Sequence, residues 1–291
     1  MYLVYVFGLC IRSRHLVYVF GSYIKEKYIN KCTDYTNMVR ETKQGVKGHD
    51  NMDEKEFLTK YDPEKFKRPS IAVDTIIFSI QHDELKVLLV KRGEHPFKGT
   101  WAIPGGFVRH DESVDDAAKR ELLEETGVSG VYLEQLFTFG DVNRDPRTRV
   151  ISISYYSILG YDDLSSTKLS ASFDVDDVDW FNISDLPELA FDHKIILRYA
   201  LNRLRNKLEY STVAFEFLPE RFTLTELQQI YEIVYDRKLD KRNFRKKLKQ
   251  MNIVSETNET KIEGAHRPAR LYTLKDPKLF LIKDRGFFVP F

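Results

Sequence analysis

The sequence is poor in cysteine. Only two of its 291 residues are cysteines, Cys10 and Cys32, and both lie near the N-terminus. The rest of the chain can therefore hold neither a structural disulfide nor a cysteine-ligated zinc ion. Such sparse use suits a reducing environment, and we expect a cytoplasmic protein. The hydrophobic content of 42% supports a folded core, and the chain length predicts about two domains.

A strong net charge and a long apolar run are also lacking. The formal net charge is +1, so a nucleic-acid site would have to be a local basic patch. The hexapeptide LVYVFG occurs twice in the first 21 residues. Charged residues separate the two copies, so the segment is too short and too charged to span a membrane or to act as a signal peptide. We expect no membrane association, and we expect residues 1–51 to be a non-functional or disordered N-terminal extension.

The most distinctive segment is the acidic run from Gly106 to Val128, GFVRHDESVDDAAKRELLEETGV. Its pattern predicts a helix that is capped by Ser113 and ends before Gly127. Three carboxylates at spacing i, i+3 and i+4 share one face of this helix: Glu121, Glu124 and Glu125. Because like charges repel, this face favours a hard cation such as Mg²⁺, which binds carboxylates together with substrate phosphates. The alternative is a solvated acidic face, which does not account for the glycines and the arginine around it.

Apolar runs on either side of this helix predict an α/β domain. Strands are predicted at 71–80, 85–90, 101–103, 131–139, 150–159 and 178–181. Turns are predicted at His82-Asp83 and at 104–106, and a further helix is predicted to end near residue 207. Over residues 68–208 this order resembles the Nudix fold, an α/β/α sandwich with a mixed sheet. The spacing Gly-x5-Glu-x7-Arg-Glu-Leu-x-Glu-Glu-x-Gly-Val, read from Gly106, resembles the Nudix signature at all its specified positions.

This resemblance implies a Nudix pyrophosphohydrolase that requires Mg²⁺ or Mn²⁺. The metal ligands would be the three glutamates and a backbone carbonyl: Glu121, Glu124, Glu125 and Gly105. Arg120 would hold Glu121 in place through a charge-assisted hydrogen bond. Glu112 lies off the glutamate face and is a weaker candidate for a supporting role. Glu121 is the first candidate for the general base, and the alternative is an acid from a loop outside the run: Asp162, Asp163 or Asp174.

The segment 140–147, GDVNRDPR, resembles the ADP-ribose-binding branch of these enzymes. Arg144 and Arg147 could grip a diphosphate, because guanidinium groups match phosphate geometry. The alternative is a tight Asp-Pro turn with two solvated arginines. His193 also has two interpretations, as a catalytic group or as a residue that caps the start of a helix.

The C-terminal part has the order helix, turn, basic helix, hairpin, which is typical of a winged helix-turn-helix. Thr225 and Gln228 have capping-box spacing for the first helix, and Asp240 is the predicted cap of the second. Phe244 and Leu248 form the buried seam of that second helix. Its basic face and the predicted hairpin, or wing, supply candidate DNA contacts: Lys241, Arg242, Asn243, Arg245, Lys246, Lys247, Arg267 and Arg270. The alternative is a basic helix that only serves packing or dimerisation.

The combination of a Nudix domain at 52–210 and a winged helix DNA-binding domain at 211–291 resembles the NrtR family of regulators. The resemblance implies a transcription regulator that binds and hydrolyses ADP-ribose or a related nucleoside diphosphate derivative with Mg²⁺. It also implies a homodimer that binds a double-stranded DNA operator. Two alternatives stay open. One is a plain ADP-ribose pyrophosphatase with a structural C-terminal module, and the other is a sugar-sensing regulator without hydrolysis.

Overall fold

The computed structural model describes residues 53–160, 169–170, 175–262 and 268–276. The predictions for residues 1–51 lie outside this part of the chain, as do those for Asp162, Asp163, Asp174 and Arg267. The chain divides into two units, residues 1–67 and 68–291. The described part of the first unit contains helix α1 (Glu54–Lys60) and a 3-10 turn (Pro63–Lys65). Within the described residues, no helix has the length and apolar character needed to cross a membrane.

The second unit is built on a mixed sheet of seven described strands. Their bounds are β1 (Ser70–Gln81), β2 (Glu84–Arg92), β3 (Trp101–Ala102), β4 (Gly105–Phe107), β5 (Glu134–Phe139), β6 (Val150–Ile158) and β7 (Val175–Asn182). The long strand β1 runs parallel to β6 and antiparallel to β2 and β4. All six of its residues from Val73 to Phe78 are buried, and four of them are apolar, which suits a central strand covered on both faces.

Two short segments beside β1 show how local sequence shapes this sheet. His82 and Asp83 have φ of +53° and +60°, and they form the two-residue turn predicted between β1 and β2. Residues 104–106 were predicted as a turn, and this prediction is wrong for the glycines, which begin strand β4 beside β1. A Cβ on Gly105 would overlap the Val73 carbonyl. The glycine therefore allows β4 to lie close against β1.

Helix α2 (Val114–Thr126) follows the prediction closely. The Ser113 hydroxyl accepts a hydrogen bond from the Asp116 amide, and Gly127 ends the helix with φ +77°, a conformation that glycine adopts without strain. Ala117 and Ala118 are fully buried against Val73. These small side chains bring the helix close to the sheet, so its glutamate face lies beside β4.

Helix α3 (His193–Tyr210) links the sheet to the C-terminal elements. Its buried side chains belong to a hydrophobic core that continues from the sheet into the C-terminal helices, with Phe78 at one end and Phe244 at the other. Near its end, the Arg205 Nε donates to the Val234 carbonyl at 2.8 Å. The Nudix part and the winged helix therefore pack on one shared core.

The C-terminal elements are a 3-10 turn (Val213–Phe217), α4 (Leu224–Tyr235), α5 (Lys241–Met251), β8 (Val254–Lys261) and β9 (Ala269–Leu274). The predicted cap of α4 is wrong by two residues, because the hydroxyl of Thr223 accepts from the amide of Glu226 at 3.1 Å. The Glu226 carboxylate accepts from the Thr223 amide in return, which completes a capping box. Asp240 caps α5 as predicted. The fold predicted from the sequence, a Nudix sandwich with a mixed sheet followed by a winged helix, is confirmed.

Candidate active site and DNA-binding face

The glutamate face of α2 borders a cavity of about 430 Å³ beside β1 and β4. Glu121 and Glu125 line this cavity together with Gly105 and Gly106. The Gly105 amide donates to the Glu125 carboxylate at 2.8 Å. A Cβ on Gly106 would overlap the Glu121 carboxylate. Gly106 therefore leaves space for the Glu121 carboxylate, and Gly105 supplies one of the hydrogen bonds that hold Glu125 at the cavity wall.

Arg120 organises the acids around the helix. Its guanidinium donates to Glu121 at 2.7 Å, to Glu124 at 3.0 Å and to Glu112 at 2.6 Å. The contact with Glu121 is the one expected from the sequence. Hydrogen bonds from Arg120 and from the Arg109 amide lower the pKa of Glu112 to about 2. Glu112 therefore stays ionised and fixes Arg120, a supporting role.

The carboxylates fit a divalent cation by their chemistry, although they do not all face one point. Among the described residues, no three His, Cys, Asp or Glu side chains converge as a metal site. Glu124 lies half-exposed outside the cavity, with Arg109 at 3.6 Å and Arg120 at 3.0 Å. Glu121 and Glu125 remain as oxygen donors at the cavity, which is the donor type that Mg²⁺ and Mn²⁺ prefer.

Arg144, predicted as a diphosphate contact with a solvated turn as the alternative, is buried and already paired with carboxylates. Its side chain is only 5% exposed and donates to both carboxylate oxygens of Asp192, at 2.9 and 2.7 Å. The same guanidinium lies 3.4 Å from Asp74, which also accepts from the Ser152 hydroxyl. This fork is already occupied by carboxylates, so Arg144 ties the start of α3 to β1 at the cavity wall.

His193 is the first residue of α3, but the structure shows no capping role for it. Its ring is buried, and Nδ1 accepts from the Ile103 amide at 2.9 Å. The neutral ring therefore carries its proton on Nε2, which lies 3.6 Å from Asp74. Burial lowers the pKa of His193, so the ring is neutral near neutral pH. It joins β3 to α3 at the cavity wall.

A basic and aromatic group lines the same cavity. Arg147 is partly exposed, pairs with Asp145 at 2.8 Å and lies over the Phe107 ring at 5.2 Å. Arg92 and Arg147 both lie over the ring of Phe191, at 5.0 and 5.8 Å from its centroid. Sequence reasoning missed Arg92 because it follows the apolar part of β2 with no motif around it. Its position at the end of a strand that leads into a loop was the only available indication.

The basic helix α5 presents its predicted DNA contacts outward. Phe244 and Leu248 are buried as expected, while five of the predicted contacts are exposed: Lys241, Arg242, Asn243, Arg245 and Lys246. Lys247 is half-buried. Between α5 and the wing lies a cleft of about 700 Å³, lined by basic residues that include Lys261 and Arg270.

Two details of the wing were not predicted. Lys261, the last residue of strand β8, was not among the predicted DNA contacts. Lys261 pairs with Glu226 at 2.6 Å, and Arg270 pairs with Glu256. The pairing of Phe222 with Tyr272, through backbone hydrogen bonds of 3.0 and 2.8 Å, attaches the wing to the start of α4.

Comparison with known proteins agrees with this geometry. The NUDIX domain family matches residues 68–202, and the NrtR DNA-binding winged helix domain matches residues 214–274. The chain is 35% identical over 241 residues to the ADPR-responsive transcriptional repressor NtrR of Acinetobacter baylyi. That alignment covers 81% of this chain and 92% of the relative. The chain belongs to the NrtR family. Nudix hydrolases in general use divalent metals, and the donor set described above suits this property of the family.

Two further relatives separate the two parts of the chain. The crystal structure of Shewanella oneidensis NrtR complexed with a 27mer DNA is 36% identical, with a TM-score of 0.59. The match covers 70% of this chain and 93% of that one. The ADP-ribose pyrophosphatase of Methanocaldococcus jannaschii is 40% identical over 147 residues, which is 50% of this chain and 82% of that enzyme. The similarity to an NrtR therefore extends over most of the chain, whereas the similarity to the enzyme covers half of it.

Proposed function

We propose that this NrtR-family chain is a cytoplasmic transcription regulator that binds ADP-ribose and also hydrolyses it. The observation that carries this proposal is the complete glutamate run of α2 beside a cavity, in a unit that also contains a basic α5 and a wing. The relatives that respond to or hydrolyse ADP-ribose support the choice of ligand. The products would be AMP and ribose 5-phosphate.

The site residues have distinct proposed roles in hydrolysis. Mg²⁺ or Mn²⁺, when bound, would polarise the diphosphate and lower the pKa of the attacking water. Glu121 and Glu125 would hold the cation at the cavity, with Glu124 and the Gly105 carbonyl as further ligands. Glu121 is the first candidate for the general base. Arg120 would orient Glu121 through the hydrogen bond that it already makes.

Arg147 is the better of the two predicted arginines for a contact with the diphosphate. It lines the cavity and is partly exposed, whereas the Arg144 guanidinium is buried between Asp192 and Asp74. Arg144 would then act on the ligand only by holding the cavity wall in place. This division of roles follows from burial and from which carboxylates each arginine already binds.

DNA binding would use α5 and the wing of a homodimer. The exposed Arg242, Asn243 and Lys246 suit base edges in the major groove, since Arg and Lys pair with guanine and Asn pairs with adenine. Lys261 and Arg270 suit phosphates at the cleft, and Lys247 suits a phosphate elsewhere along α5. A dimer would present two such helices to the half-sites of a palindromic operator. We also propose residues 52–210 and 211–291 as the limits of the two domains, with residues 1–51 dispensable for both activities.

A single set of measurements tests this proposal against its two alternatives. The full chain is incubated with ADP-ribose and Mg²⁺ or Mn²⁺ while AMP is quantified, and genomic DNA fragments are tested for retention with and without ADP-ribose. Hydrolysis and DNA retention that responds to ADP-ribose are expected. Hydrolysis without retention at low salt would leave the plain pyrophosphatase. Retention that responds to a sugar, with no hydrolysis, would leave the sugar-sensing regulator.

A further inference from the structure

Arg92 is a charged residue that lines the cavity, and its guanidinium makes few hydrogen bonds with the described residues. Its Nε donates to the Pro96 carbonyl at 2.8 Å, and among the described residues no carboxylate forms a salt bridge with it. Arg144, in contrast, lies between Asp192 and Asp74. A partly buried guanidinium without a carboxylate partner loses hydration that only a ligand can replace. Arg92 is therefore ready to accept an anion.

A second cation stands close to Arg92. Both Arg92 and Arg147 lie over Phe191, and burial together with the neighbouring Arg147 lowers the pKa of Arg92. Two like charges over one ring repel each other, and an anion between or beside them would remove this repulsion. The ring itself attracts both guanidinium groups through its negative face, and a guanidinium held over a ring keeps its N–H edge available for hydrogen bonds in its own plane.

Phe191 is held in an unusual backbone conformation. Its φ is +52°, which places it in the left-handed region, and bulky residues rarely adopt this conformation. Its ring packs edge-on against Phe97 at 4.8 Å, and the next residue, Asp192, is fixed by Arg144. Strain of this kind persists only where the surrounding contacts impose it, and it is concentrated at functional sites. The strained backbone turns the ring toward the two arginines.

We propose that Arg92 is a diphosphate-binding residue of this cavity and that Phe191 is the residue that positions it. The inference rests on the proposed function, since it takes a nucleoside diphosphate derivative as the ligand. Arg147 is paired with Asp145, whereas Arg92, although Glu125, Asp145 and Glu94 act on its charge from a distance, forms no salt bridge with any described residue. One wall of the cavity is then acidic, formed by Glu121 and Glu125, and another is cationic, formed by Arg92 and Arg147. A dianionic diphosphate bridged to a cation matches this pairing of charges.

The test compares five single variants of the full chain and one double variant, which combines Arg92→Met with Phe191→Leu. Arg92→Met removes the charge at similar length, Arg92→Lys keeps the charge but loses the planar fork, and Phe191→Leu removes the ring. Phe191→Tyr keeps the ring and serves as the conservative rescue. Lys98→Met, in the exposed loop after β2, removes a charge outside the cavity and is the matched control. Binding of ADP-ribose is measured by calorimetry without divalent cations, and thermal unfolding confirms that each variant is folded.

Arg92→Met should weaken binding roughly 10–100-fold, as expected for a lost hydrogen bond to a charged group. Arg92→Lys should fall between it and the wild type. Phe191→Leu should also weaken binding, whereas Phe191→Tyr should keep the wild-type affinity. The double variant Arg92→Met/Phe191→Leu should bind only slightly more weakly than Arg92→Met. Wild-type affinity in Arg92→Met, or fully additive losses, would overturn the inference while leaving the proposed function standing. A wild-type chain that binds no ADP-ribose would overturn both.

Discussion

Changing Glu125 to glutamine is the sharpest test of the proposed hydrolysis. Glu125 is 8% exposed, lines the cavity, and accepts from the Gly105 amide at 2.8 Å. The glutamine carbonyl can still accept that hydrogen bond, so the contact between α2 and β4 is kept. What is lost is one of the two carboxylate charges that α2 contributes to the cavity. Removing a charge from the groups that hold the cation should lower turnover by about two to three orders of magnitude, or roughly 2.7–4 kcal/mol of transition-state stabilisation.

The assay is release of AMP from ADP-ribose at saturating Mg²⁺, repeated with Mn²⁺. Glu84→Gln, a change of the same chemistry at an exposed position on β2, should leave the rate unchanged. DNA retention by the Glu125 variant should match the wild type in the absence of ligand, because the cavity and the wing cleft have no residue in common. A wild-type rate in the Glu125→Gln protein would refute the assignment of this cavity as the hydrolytic site.

Three further predictions concern DNA binding, assembly and pH. Arg242→Ala should cost roughly 1–3 kcal/mol of operator affinity and relax sequence preference, whereas Arg270→Ala should weaken binding to all sequences alike and reduce the slope of log affinity against log salt concentration by about one. Fluorescence anisotropy across salt concentrations measures both. Equal losses on operator and random DNA for Arg242→Ala would contradict the base contact. Light scattering at micromolar concentration should give a dimer, and a monomer would count against two-fold operator binding. Because burial lowers the pKa of His193, the unfolded chain binds a proton more readily than the folded one, so the free energy of unfolding should fall as pH drops below about 6.5. His193→Gln should reduce this slope in urea titrations, and an unchanged slope would assign it to other groups.

The features that could be predicted from the sequence are those set by short-range chemistry. Helix α2 was predicted within one residue, because Ser113 and Gly127 can satisfy its ends from local backbone geometry alone. The contact of Arg120 with Glu121 also follows from local spacing. The cap of α4 was misplaced because two threonines, Thr223 and Thr225, both precede the apolar stripe. Each has a partner at capping-box spacing, Glu226 for Thr223 and Gln228 for Thr225, so local spacing alone does not distinguish them.

Features that depend on distant residues could not be predicted. Arg144 and Asp192 are 48 positions apart, and nothing local to Arg144 indicates that its guanidinium pairs with a distant carboxylate. The sequence therefore indicated the residue type but not this pairing. Arg92, in contrast, was not predicted from the sequence at all. It carries no motif, and only the fold brings it over Phe191.

Helix α3 connects the cavity with the helices of the DNA-binding domain. Its first turn carries His193, which is hydrogen-bonded to Ile103 at the cavity, and Asp192 immediately before it holds Arg144. Some 12 residues later, Arg205 bonds to the Val234 carbonyl of α4, the first helix of the winged helix-turn-helix. A packed helix transmits a displacement of one end to the other because its interior is nearly incompressible. Under the proposed function, a ligand that shifts the Asp192–Arg144 contact would act through α3 on α4, which packs in the core with α5, and hydrolysis of that ligand would end the effect.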